Sequence, residues 1–189
     1  MVREILIWPH PTLKMKARPV DKVDDSVREL IKDLFDSMYD ADGVGLAAPQ
    51  IGALKNVIVL DTRPRQPDSR PIAMVNPQII EMEGKLSYRE GCLSIPGEAE
   101  DVDRAEKVTV RYLDEQGVLQ TLKCDGLLAV AVQHETDHLS GTMFVDHVSS
   151  LKREVIRKRM RKLQQTIEED KASGAEKKPR KKDEGRAAL

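Results

Sequence analysis

Apolar residues at Val27, Leu30, Ile31, Leu34, Phe35 and Met38 recur at three- and four-residue intervals, which predicts an amphipathic helix over 24–38 with Asp24 or Asp25 capping its start. The glycine-punctuated stretch 43–52 reads as a loop or an irregular strand. The short run Val57-Ile58-Val59-Leu60 predicts a buried strand, and three prolines among charges at 61–71 predict a surface loop. Strand-like segments follow at 72–75, 78–82, 107–112 and 118–122, the last two joined by the turn sequence Asp114-Glu115-Gln116-Gly117. Asp125 then caps a helix running to about Leu139, stopped by Ser140-Gly141, and a last helix spans about 150–167. Strands gathered ahead of helices, without strict alternation, point to an α+β fold.

A chain of 189 residues has room for one sizeable core and an appendage. Its longest wholly apolar run, Leu127 to Val132, is far short of the ~20 residues that cross a bilayer. The apolar run Ile5 to Trp8 is too short for the core of a secretion signal, so a cytoplasmic address is expected, with no membrane partner. Two cysteines, Cys92 and Cys124, cannot build a disulfide framework and are expected to be free or metal-bound. Charge divides the chain. Residues 151–189 hold 14 basic and 7 acidic side chains against 17 and 25 in residues 1–150. The expected organisation is a main folded domain over 1–150, a basic amphipathic helix over 151–169 and a disordered charged tail over 170–189. An acidic body with a basic tail points to an anionic partner for the tail, the alternative being a simply solvated helix.

The stretch Gln133-His134-Glu135-Thr136-Asp137-His138 carries the most chemistry. On a helix, residues four apart lie about 40° apart around the axis, so His134 and His138 can both face one metal ion. Glu135 lies about 100° from His134, outside ligand position but within reach of a water beside the ion. This is the H-E-x-x-H arrangement of two ligands and one general base. Leu127, Ala131, His134 and His138 share one helical face, so the imidazoles should point inward along an apolar stripe. Cys92, flanked by Gly91 and Gly97, is the better third ligand, and Cys124 reads as a small core residue. Three protein ligands leave a catalytic position open, whereas recruitment of Cys124 would close a structural Cys₂His₂ centre.

Three segments together resemble the peptide deformylases: Gly43-Val44-Gly45-Leu46-Ala47-Ala48-Pro49-Gln50, Glu90-Gly91-Cys92-Leu93-Ser94, and Gln133 to Gly141. The helix of 24–38 and the Trp8-Pro9-His10-Pro11 opening are also similar, so the resemblance spans about residues 4–165, with Thr136 standing where the family usually has an apolar residue. It implies mostly antiparallel strands wrapped around a central metal-bearing H-E-x-x-H helix, with a C-terminal helix. It further implies a hydrolase that removes the formyl group from the N-terminal formylmethionine of newly made proteins, releasing formate. Cys92, His134 and His138 would hold one divalent ion, Fe²⁺ in the family, with Zn²⁺, Ni²⁺ or Co²⁺ able to replace it. Glu135 would move the proton, and the Gln50 amide and the Leu93 backbone N–H would face the formyl oxygen.

Gly45 would let an extended peptide lie against the 43–46 backbone, and Val44, Leu127, Val130 and Ala131 would form the pocket for the methionine side chain. Glu90, Arg104 and Asp137 are candidates for orienting the ligands, or for ordinary surface ion pairs. In the family a C-terminal helix is associated with the ribosome, which would place Lys152 to Lys162 on ribosomal RNA, a salt-sensitive contact through phosphates. The alternative is docking of the Ile156, Met160, Leu163 and Ile167 stripe on the body. Competing functional readings are a metalloprotease with another third ligand and a zinc-stabilised RNA-binding module. The 3% aromatic content leaves the latter little for base stacking, and no DNA partner is expected.

Overall fold

Residues 1–64 and 67–173 are described by a computed structural model of the chain. Helix α1 runs over Asp25–Asp40, and the Asp24 carboxylate accepts the Val27 N–H at 3.0 Å as its N-cap. Strand β1 covers Gly45–Ala47 and β2 Val57–Leu60. β3 runs over Ile72–Glu83, β4 over Leu86–Cys92, β5 over Ile95–Arg104, β6 over Lys107–Leu113 and β7 over Leu119–Asp125. Helix α2 spans Gly126–Leu139 and α3 Ser150–Ser173. The strands form a five-stranded antiparallel sheet ordered β1-β2-β3-β6-β7 and a separate antiparallel hairpin, β4-β5. The fold is α+β, as the element order implied.

The sheet is covered on both faces, which explains why β2 is apolar without alternation. Val57 and Val59 pack with Ala73 and Val75 beneath the α1 residues Val27, Ile31, Leu34 and Met38. Ile58 and Leu60 turn the other way and meet Met74, Val108, Val110 and the apolar residues of α2. Leu127, Ala129, Val130, Ala131 and Val132 of that helix are all buried, and so are Gln133, His134, Glu135, His138 and Leu139. The expected single inward stripe is therefore a helix enclosed on nearly every side, the pattern of a central core element. A third cluster joins Trp8, Ile95, Val102, Phe144 and Val145 to Ile156 and Met160 of α3, so the stripe of the last helix docks on the body.

Four departures from the sequence expectation have physical reasons. β3 is continuous through Pro77, which sits in an irregularity between the Val75 and Gln78 pairings beside Asn76 at φ 52°; a proline inside a central strand survives only at such a bulge. The β4-β5 hairpin went unrecognised because β5 is rich in acidic residues, and because Pro96, Gly97 and Glu98 loop out between the Gly91–Ala99 and Cys92–Ile95 pairings. Asp125 holds the N-cap position of α2, but its side chain makes no capping hydrogen bond. Helix α3 continues through 170–173, residues expected to open a disordered tail; the rest of that expected tail, 174–189, lies outside the described residues. No helix of the described residues is long and apolar enough to cross a membrane.

Gly141 ends α2 at φ 76°, where an added Cβ would lie 2.5 Å from the Lys14 carbonyl oxygen. Both the left-handed backbone and the contact with main chain exclude a side chain there. Gly141→Ala should lower stability by about 2 kcal/mol or more in a urea titration; an unchanged midpoint would show that the turn after α2 tolerates a Cβ.

Candidate metal centre and active site

Helix α2 brings His134 and His138 together through their four-residue spacing, with ring centroids 4.8 Å apart and ring planes crossed at 87°. Cys92 arrives from the last position of β4, where a two-residue turn, Leu93-Ser94, folds the hairpin back. The three ligand atoms lie within 4.8 Å of one another, all on buried residues, and Cys92 Sγ is 3.4 Å from His138 Nε2. His134 donates its Nδ1 hydrogen to Glu90 Oε2 at 2.8 Å, because a carboxylate only accepts. That leaves Nε2 of His134 buried and without a partner. An orphaned buried nitrogen is costly unless something completes it. A divalent ion would do so, and one thiolate with two imidazoles is a donor set that such ions accept.

The electrostatics agree. Burial, followed by the neighbouring His134, holds the His138 imidazole well below its ordinary pKa, so it presents a neutral nitrogen. At His134 burial pulls the same way, but Cys92 and Glu90 outweigh it and raise the ring well above its usual value. The surrounding groups therefore favour positive charge at that point. Burial pushes Glu90 up, yet hydrogen bonds from His134 and Arg104 prevail and hold it at about 2, a fixed anion behind the ligand. Arg104 forks onto Glu90 at 2.6 and 3.0 Å and reaches Asp137 at 2.7 Å. Glu90, Arg104 and Asp137, which the sequence left open as surface ion pairs, thus form one connected network behind His134.

Glu135 is fully buried, and neither of its carboxylate oxygens has a hydrogen-bond partner. Burial pushes its carboxyl up to about 7. Gly45 makes room for it: an added Cβ would overlap Glu135 Oε1 and lie 2.9 Å from Cδ. Gln50, in a short 3-10 turn over Ala48–Ile51, is fixed at both ends of its amide. Its Oε1 accepts the Ala47 N–H at 2.7 Å, and its Nε2 donates to Ser94 Oγ at 3.2 Å and to Cys92 Sγ at 3.6 Å. Leu93 follows Cys92 in the same turn and is buried. Val44, Leu127, Val130 and Ala131 share one packed cluster along α2. Cys124 lies apart in β7, packed in that cluster, its thiol pushed up to about 12 by burial.

The structure therefore gathers Cys92, His134, His138, Glu135 and Gln50 at one place and leaves Cys124 out of the ligand group. Two contributors escaped sequence reasoning. Ser94 steadies the Gln50 amide, and His147 donates to Asp137 Oδ2 at 2.7 Å. Ser94 stood inside a motif already singled out, so its adjacency to Cys92 was a usable signal; His147 offered none.

Comparisons with known proteins converge. The profile of the family described as polypeptide deformylase matches residues 2–154. A peptide deformylase of Alkalilimnicola ehrlichii is 46% identical over 162 residues, covering 86% of this chain and 90% of that protein. Peptide deformylase 2 of Xanthomonas campestris is 47% identical over 166 residues, covering 86% and 96%. Among solved structures, a peptide deformylase from Legionella pneumophila superposes with a TM-score of 0.83 at 42% identity, covering 95% of this chain and all of that one. One from Ehrlichia chaffeensis in complex with actinonin gives 0.82 at 35% identity, covering 85% and 96%.

Cys92→Ser should weaken binding of added Co²⁺ by more than the roughly 10–100-fold that loss of a ligand-orienting partner costs. Cys124→Ser should leave it unchanged. Metal content after gel filtration reads both, and the reverse pattern would reassign the third ligand.

Proposed function

The chain belongs to the polypeptide deformylase family of metal-dependent hydrolases that remove the N-formyl group from peptides, and within that activity we propose that Cys92, His134 and His138 hold the ion, Glu135 moves the proton, and Gln50 and the Leu93 N–H meet the formyl oxygen. The observation that carries this reading is the buried, unpartnered Glu135 carboxylate beside a ligand-ready His134 nitrogen. Bound there, a divalent ion supplies Lewis acidity, making water a nucleophile at neutral pH and drawing charge from the formyl oxygen.

The chain's own groups do the rest. Glu135 takes a proton from the attacking water and returns it to the nitrogen as the C–N bond breaks, freeing formate and an amine. On this reading the Gln50 Nε2, which touches Cys92 Sγ, and the N–H of Leu93, the residue after Cys92, receive negative charge on the carbonyl oxygen. The Ala47 N–H anchors the Gln50 Oε1, so Nε2 has only to exchange its hydrogen bond to Cys92 or Ser94 for one to the substrate oxygen. β1 is the edge strand of the five-stranded sheet, so an extended peptide can add to the Val44–Gly45 backbone as a further strand. Val44, Leu127, Val130 and Ala131 provide the apolar surface for the first side chain. That surface suits methionine, and we assign N-formylmethionyl nascent chains as substrate. Fe²⁺ is the expected ion from the family, although this donor set also suits Zn²⁺, Ni²⁺ and Co²⁺. The protein works in the cytoplasm on this reading.

The α3 helix adds a partner. Lys152, Arg153 and Arg159 turn back onto Glu100, Asp146 and Glu98 of the body at 2.7, 3.4 and 3.0 Å. Lys158, Arg161 and Lys162 remain exposed and have no ion pair among the described residues. We assign these three to phosphates of ribosomal RNA near emerging nascent chains.

Two measurements test the reading. Formate release from formyl-Met-Ala should vanish with chelator. In Glu135→Ala it should fall at least about a hundredfold while the metal is retained; near-normal turnover in that variant would remove Glu135 from the mechanism. Reversing Lys158, Arg161 and Lys162 to Glu should abolish co-sedimentation with ribosomes and leave hydrolysis of the short peptide intact, whereas undiminished co-sedimentation would place the contact elsewhere.

A further inference from the structure

His147 is the outermost member of a hydrogen-bonded chain that begins at a metal ligand. His134 Nδ1 donates to Glu90 Oε2 at 2.8 Å, and Arg104 spans both Glu90 oxygens through Nε and Nη2. Arg104 Nη1 then donates to Asp137 Oδ2 at 2.7 Å, and His147 Nε2 reaches the same oxygen at 2.7 Å. Because a carboxylate only accepts, His147 carries its hydrogen on Nε2. The chain ties β4, β5, α2 and the segment after α2 at one line of contacts. Inner members are sealed, with the side chains of Glu90 and Arg104 0% and 5% exposed, while Asp137 and His147 are 25% and 36% exposed.

We infer that His147 is a positioning residue for the metal centre, holding the Asp137 carboxylate against Arg104 so that the guanidinium keeps Glu90, and through it the His134 ring, at a fixed angle. Asp137 lies on the helix that bears both imidazoles, yet its contacts fasten that helix to the β4-β5 hairpin carrying Cys92. Orientation of His134 and its distance from the thiolate therefore depend on one carboxylate oxygen that receives two donors. Loss of one donor leaves Asp137 free to turn toward the solvent it already touches. The structure gives His147 no hydrogen bond to Cys92, Glu135 or Gln50, so its influence runs through Asp137.

The inference rests on Cys92, His134 and His138 being the ligands, and the test separates the two. Protein loaded with Co²⁺ is mixed with excess EDTA, and metal release is followed by the visible absorption of the cobalt–thiolate centre. His147→Ala should release Co²⁺ about tenfold faster, the low end for a ligand-orienting group, and its spectrum before release should differ from that of the parent. His147→Gln places an amide N–H where Nε2 stood and should restore the parent rate to within about threefold. Release from His147→Ala at the parent rate overturns the inference, as does a His147→Gln variant no slower than Ala. A fall in Tm with release unchanged reduces His147 to a structural contact and also overturns it. Cys92→Ser run alongside reports on the ligands themselves: if it holds Co²⁺ as the parent does, the ligand assignment fails and this inference with it.

Discussion

The constraint on which this structure turns is the burial of four polar side chains at one point inside a small core. Cys92, His134, Glu135 and His138 are all at or below 1% exposure. Burying such groups costs free energy unless each finds a partner, and the protein supplies partners for only some of them. Glu90 satisfies one nitrogen of His134; among the described residues nothing satisfies the other, Nδ1 of His138, or either oxygen of Glu135. The chain thus leaves this point incomplete, which suits a group of side chains able to hold an ion. On the His134 side, Glu90, Arg104 and Asp137 form a connected hydrogen-bonded network.

Holding that point together is the work of the fold. A helix buried on one face could lean away from two imidazoles that each leave one nitrogen unpartnered. α2 cannot, since the sheet packs against its apolar residues and the β4-β5 hairpin closes over its polar ones. The hairpin contributes Cys92 at its tip and Glu90 two residues earlier, so the thiolate and the anion that orients His134 move as one unit. Gly45, on the edge strand, has no side chain where Glu135 needs space, so the absence of a Cβ on β1 is what admits the buried carboxylate. Gln50 is held by Ala47 on one side and Ser94 on the other, so the two loops flanking the site are linked through one amide.

What could be read from the sequence was whatever had a local period. The α1 face, the β2 run and the His134–His138 spacing each express geometry in neighbouring residues, and the structure reproduces them. The β4-β5 hairpin was not legible, because β5 is acidic, both strands are partly exposed, and the three residues looping out of β5 break any alternation. β3 was divided at Pro77, since the sequence does not reveal that a bulge accommodates it. The enclosure of α2 was also hidden: a helix covered by both sheet and hairpin has no polar face to mark its orientation. The orienting network was legible only as candidates. Glu90, Arg104 and Asp137 are ordinary charged residues until the fold brings them together, and His147 carried no pattern at all.

The charge asymmetry shows the same limit and its resolution. A basic C-terminal segment beside an acidic body pointed to an outside anion, and part of the answer lies within the chain. Glu98, Glu100 and Asp146 take up Arg159, Lys152 and Arg153, while Arg157 lies 5.4 Å over the Trp8 ring and Gln164 bonds the Ile7 carbonyl. These partly exposed pairs contribute little stability individually, and Ile156 and Met160 in the core do more to hold the helix down. Their role is better understood as orientation. By drawing one set of basic side chains inward, they fix the rotation of α3 and leave Lys158, Arg161 and Lys162 outward. Docking and an outside contact are therefore compatible readings of one helix, because they use different faces of it.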